Sequence, residues 1–139
     1  MELHRAIDCI EYVGQDPKIP ALRIEITEPV EESKVALTAP LDTGFVGYVL
    51  VDRTTYDWLG TAELPRGQFG SYQTMAGPVV LRRSRIALRL AKKEFESYLE
   101  TPLYGPGRLL LGRLVLSRLD LALFGISARC CRLVPESRE

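Results

Sequence analysis

A chain of 139 residues is long enough to bury one continuous core and fits a single domain. Hydrophobic residues make up 46% and charged residues 26%, an ordinary balance for a soluble globular protein. Lysine plus arginine equals aspartate plus glutamate, 18 of each, so no chain-wide charge pulls it toward nucleic acid or an anionic membrane.

The first residues, Met1 to Asp8, carry charges where a signal peptide needs an apolar core. The apolar runs are far shorter than the roughly 20 residues needed to cross a bilayer. Cys9, Cys130 and Cys131 are an odd number, and the adjacent pair points to opposite faces if it lies on a strand. These features predict a reduced, cytoplasmic protein without membrane contact. His4 is the single histidine, which argues against a histidine-based triad and against a zinc site built on histidine. No metal and no cofactor are expected.

In chain order, Leu22 to Thr27 alternates apolar and polar residues and predicts a half-buried strand. Residues 28–34 form a polar turn with Pro29, and Val35 to Leu41 resumes a strand that runs into Asp42-Thr43-Gly44. Tyr48 to Val51 is a short β-rich run. Thr54 or Thr55 is expected to cap a short helix through Leu59, stopped by Gly60. Residues 67–77 and 78–90 read as two arms of a hairpin, with Ala76-Gly77-Pro78 at its tip. Residues 94–103 predict another strand, Tyr104-Gly105-Pro106-Gly107 a turn, and Leu109 to Leu111 a buried strand ending at Gly112. One or two helical turns follow over residues 113–118. Residues 119–124 and 128–134 are the closing strands. The expectation is an all-β domain with one or two short helices, without repeats, low-complexity tracts or an interdomain linker.

Chemistry centres on Asp42-Thr43-Gly44. An acid between an apolar strand and a glycine turn is presented by a loop projecting from a rigid sheet. The Thr43 hydroxyl can hydrogen-bond there, and Gly44 admits close backbone approach. A bare triplet of this kind arises by chance in roughly one chain of this length in ten or twenty at average composition. Alone it is better read as a plain Asx turn after a strand.

The flanks make it specific. Residues 40–51 read Pro-Leu-Asp-Thr-Gly-Phe-Val-Gly-Tyr-Val-Leu-Val. This resembles the active-site loop of retropepsin-like aspartic proteases, most of all the small prokaryotic members. Pro40 departs from the apolar pair that usually precedes the aspartate. Leu110-Leu111-Gly112, about seventy residues downstream, is similar to the family's strand-and-glycine unit that packs on the active-site loop. Tyr72 to Gly77 resembles the flap that closes over a bound peptide. The match covers about residues 20 to 126 of a single domain spanning 1–139.

The resemblance implies a closed β-barrel lobe, with Asp42, Thr43 and Gly44 as the catalytic segment. It also implies flap residues Met75, Ala76 and Gly77, and apolar subsites from Phe45, Tyr48, Leu110, Leu111 and Gly112, although core packing accounts for these apolar residues as well. In viral relatives an arginine after the downstream glycine pairs with an acid just beyond the triplet; Phe45 and Val46 stand at that place here.

Peptide hydrolysis by carboxylates needs two of them, one ionised to activate water and one protonated to donate to the carbonyl oxygen. One Asp-Thr-Gly segment therefore implies a homodimer with two Asp42 residues at its axis, acting on a peptide or protein. Residues 128–134 or the first strand are the expected contact between copies. Two alternatives stay open. One is a silent dimerisation or peptide-binding module of the same fold. The other, which the balanced overall charge disfavours, is a nucleic-acid-binding ribbon built on Arg82, Arg83, Arg85, Arg89, Lys92 and Lys93; charge that keeps a strand edge solvated is the simpler reading of those residues.

Overall fold

The computed structural model describes the backbone of residues 4–11, 20–124 and 127–135, and the side chains of residues 20–119. Among the described residues, ten strands dominate. They are β1 (His4–Glu11), β2 (Ala21–Thr27), β3 (Lys34–Pro40), β4 (Val49–Leu50), β5 (Gly70–Thr74), β6 (Gly77–Leu90), β7 (Lys93–Pro102), β8 (Leu110–Leu111), β9 (Asp120–Phe124) and β10 (Ser127–Pro135). Two short helices join them, α1 (Arg53–Leu59) and α2 (Arg113–Leu116). The chain is thus mostly β.

Seven strands form one sheet in the order β3-β2-β6-β7-β4-β8, with β5 paired to β6. The two ends of that path meet at one isolated parallel bridge, Leu41 with Leu111. A second sheet of three strands runs β1-β10-β9. The predicted closing strands are therefore paired with each other and with the first strand. The side chains of Cys9, Cys130 and Cys131, and the contact expected of residues 128–134, lie outside the described side chains.

Alternation sets the burial of β2. Leu22, Ile24 and Ile26 are buried while Arg23 between them is exposed. Ile86 and Leu88 of β6, Leu99 of β7, Val49 of β4 and Leu111 of β8 join that core. Helix α1 adds Tyr56 and Leu59, and α2 adds Val115 and Leu116. Among the described residues no helix is long and apolar enough to cross a membrane.

Three local expectations are corrected. The cap of α1 is Asp52, whose carboxylate accepts the Thr55 amide at 2.8 Å, and neither Thr54 nor Thr55 takes that place. Asp52 wins because its short carboxylate reaches back-to-front across the first turn. The first hairpin arm is not extended from residue 67. Pro65 leads into a 3-10 turn at Arg66–Gln68, and the strand starts at Gly70. The hairpin tip is the two-residue turn Met75-Ala76, with Gly77 at φ +110 opening β6 rather than forming the apex. The next hairpin, β6–β7, turns through Ala91 and Lys92, both at positive φ without being glycine.

Candidate functional site

Asp42 lies two residues beyond β3, after Leu41. Its amide donates to the Leu111 carbonyl at 2.9 Å, continuing the contact that the Leu41–Leu111 bridge begins. Its carboxylate Oδ1 accepts the Gly44 amide at 2.9 Å, and its carbonyl accepts the Phe45 amide at 3.2 Å. The Asx turn foreseen for the bare triplet is thus present. It leaves Asp42 half-buried, with Thr43 and Gly44 exposed.

Beyond the Asp42–Leu111 bond, the downstream unit is bound to this loop at four further places. The Gly112 amide donates to the Tyr48 carbonyl at 2.7 Å, the Arg113 amide to Phe45 at 2.8 Å, and the Leu114 amide to Gly47 at 3.0 Å. The Arg113 guanidinium Nε donates to the Thr43 carbonyl at 3.0 Å, so a backbone oxygen receives the arginine where no acid is available. A side chain at Gly112 would collide with the Gly47 carbonyl and the Phe45 ring, so only glycine allows the two backbones this close. Leu111 is fully buried beneath the loop, and Leu110 is half-buried beside it.

The structure therefore brings Asp42, Thr43, Gly44, Phe45, Tyr48, Leu110, Leu111 and Gly112 into one place. Met75, Ala76 and Gly77 stand at the hairpin tip, with the Met75 side chain fully exposed. The Thr74 hydroxyl braces that tip, donating to the Gly77 carbonyl at 2.6 Å and accepting the Ala76 amide at 3.2 Å. The hairpin meets the loop lower down, where the Tyr72 ring packs against Phe45 with centroids 5.8 Å apart.

A polar cluster that sequence reasoning did not find lies under that contact. Glu100 of β7 has no exposed surface. Its Oε1 accepts the Tyr48 amide at 2.7 Å, and its Oε2 accepts Arg83 Nε at 3.2 Å, Arg83 Nη2 at 3.1 Å and the Tyr72 hydroxyl at 3.1 Å. Arg83 also donates to the Tyr72 oxygen at 3.0 Å and lies over the rings of Tyr48 and Tyr98. Burial raises the Glu100 carboxyl above its usual value, while the Tyr48 amide and Arg83 oppose that rise. Burial, then the charge of Glu100, pushes Tyr72 up to about 12. Arg83 and Glu100 are direct cross-strand partners in the β6–β7 register. The one available signal was that pairing, an arginine and a glutamate at matching distances from the Ala91-Lys92 turn.

The basic arm of β6 is answered by acids. Arg82 donates to Glu63 at 2.7 Å and lies 3.8 Å from Asp57, Arg83 is held by Glu100, and Arg89 stands in register between Glu25 and Glu94. Compared with known protein-family models the chain matches none, and no curated protein matches it.

Proposed function

We propose that the chain is a retropepsin-like aspartic endopeptidase, working as a homodimer in which each copy supplies one Asp42. The observation that carries this reading is the fixing of the Asp42 turn by Leu111 and Gly112, with the carboxylate left partly open. On this reading the Leu41–Leu111 bridge marks where the β3-to-β8 sheet closes into the family's barrel lobe. Val46 and Leu114, apolar and exposed on either side of Gly47, suit the contact with a second copy.

Water lies between the paired carboxylates. The ionised Asp42 takes its proton as the oxygen attacks the scissile carbonyl carbon. The protonated Asp42 hydrogen-bonds the carbonyl oxygen as it becomes the oxyanion of the tetrahedral species. Collapse of that species expels the amine, which leaves with a proton from the dyad. Two like charges this close cannot both persist, so the pair shares one proton. The hairpin tip offers backbone groups to the substrate main chain.

The test is digestion of a denatured protein at mildly acid pH. Wild-type protein is expected to cleave it, and Asp42→Asn is expected to lose roughly 100-fold or more of that rate. Intact substrate at every pH, from a protein that is nonetheless a stable dimer, would replace the peptidase with a silent peptide-binding or dimerisation module.

A further inference from the structure

The Tyr72–Arg83–Glu100 cluster takes no part in the chemistry proposed for Asp42, yet it touches both segments that would enclose a substrate. Tyr72 comes from β5, the outer strand of the hairpin, and the Tyr48 amide comes from the loop that leaves Asp42. Both segments carry glycine where they pass the carboxylate. A Cβ at Gly47 would lie 2.8 Å from Glu100 Oε1, and one at Gly70 would lie 2.9 Å from Oε2 and 2.7 Å from Arg83 Nη2. The approach of hairpin and loop to Glu100 is therefore built into the backbone of each.

We infer that Glu100 is a positioning residue that latches the base of the β5–β6 hairpin to the Asp42 loop, so that the two segments open and close together. As regulation of the Asp42 site this rests on the peptidase reading; as a mechanical coupling it does not. A buried carboxylate is stable only with its partners in place, and removing one leaves the rest uncompensated. Lifting the hairpin takes the Tyr72 hydroxyl from Glu100 and Arg83 and the Tyr72 ring from Phe45. Water then reaches the carboxylate, and the bond that holds the Tyr48 amide weakens with it. The groups facing the carboxyl are Arg83 from β6, Tyr72 from β5 and the Tyr48 amide from the loop. The Tyr98 ring of β7 lies beyond Arg83, and the phenol of Tyr56 from α1 senses the Glu100 charge from further off. Opening lets water relieve the burial that raises the carboxyl, so ionisation favours the open state and the latch loosens as pH rises. Burial places that change above the ordinary carboxylate range.

Hydrogen exchange on the full chain tests this. In Tyr72→Phe, which removes one hydroxyl, exchange over residues 70–77 and over residues 45–48 is expected to rise together by about tenfold. Residues 81–102 of the β6–β7 ladder are expected to keep their protection. In wild type, exchange of the two segments, corrected for its intrinsic pH dependence, is expected to rise toward alkaline pH, and in Glu100→Gln to be flat. A purely structural role would leave that pH dependence alike in both. Exchange that is unchanged in Tyr72→Phe, or that rises in one segment only, overturns the latch. Should Glu100→Gln fail to fold, Tyr72→Phe decides alone. Where wild type turns over peptide, Tyr72→Phe is expected to raise KM more than it lowers kcat. A wild type without turnover removes the peptidase reading and leaves the exchange result to judge the latch.

Discussion

Glu28 and Glu100 are both nearly sealed from solvent, at 1% and 0% exposure, yet their surroundings act on them in opposite directions. Glu28 sits just after β2 and is covered by its own turn. It accepts the amides of Val30, Glu31 and Ser33 and the hydroxyl of Thr61. The Thr61 hydroxyl and the Ser33 amide lead in holding it down to about 2. Glu100 lies between packed strands, where desolvation outweighs one amide, one guanidinium and one phenol. Low exposure therefore says little about the state of a carboxylate. What decides is how many donors point at it and how much apolar protein lies behind it. Glu28 takes its amide donors from a local turn of six residues and only the Thr61 hydroxyl from afar, whereas Glu100 is bonded entirely by segments distant in the chain.

Removing the guanidinium sharpens that contrast most. Arg83→Met leaves Glu100 buried without its charged partner, and urea unfolding should show a loss of about 3 kcal/mol. A loss under 1 kcal/mol would mean that the amide of Tyr48 and the hydroxyl of Tyr72 suffice. Next in size is Gly47→Ala, whose methyl would press on Glu100 Oε1 and the Phe45 ring. It is expected to cost about 1–3 kcal/mol, and equal thermal stability of mutant and wild type would show that the loop can yield.

The smallest effect is the most diagnostic, because its sign differs between the two glutamates. The folded pKa of Glu28 is depressed, so its contribution is complete above the unfolded value of 4.5 and is lost as pH falls toward about 2. Stability curves of wild type and Glu28→Gln should therefore stay apart above pH 4.5 and converge below it. Glu100 is raised, so its contribution is complete below 4.5 and is lost as pH rises through the folded value. Against Glu100→Gln, the wild-type curve should fall on the alkaline side of that value. Parallel curves across the whole range would refute either assignment.

Much of this was legible from residue order. The alternation of Leu22, Ile24 and Ile26 placed β2, and glycines and prolines marked most turns. The Asp42 loop and Leu110-Leu111-Gly112, separated by a long stretch of chain, meet in the fold. The two glutamates were not legible. Glu100 alternates with buried Leu99 and Thr101 on β7, which predicts a solvated charge on the outer face. That inference fails because β5 and the loop cover this face at one point, a fact of tertiary pairing rather than of local pattern. Glu28 opened a stretch rich in glutamate that reads as a polar turn, with nothing to say which carboxylate folds inward. The Asp52 cap was missed for a similar reason, since two threonines competed with it over a span of four residues.

The bond from Arg113 to the Thr43 carbonyl joins residues 70 positions apart. Its counterpart, the β6–β7 hairpin, closes through a two-residue turn. Loop closure costs more entropy over the longer span, so the hairpin can assemble while the Asp42 loop is still searching for Gly112. The Asp42 turn is thus expected to be fixed later in folding than the β6–β7 hairpin.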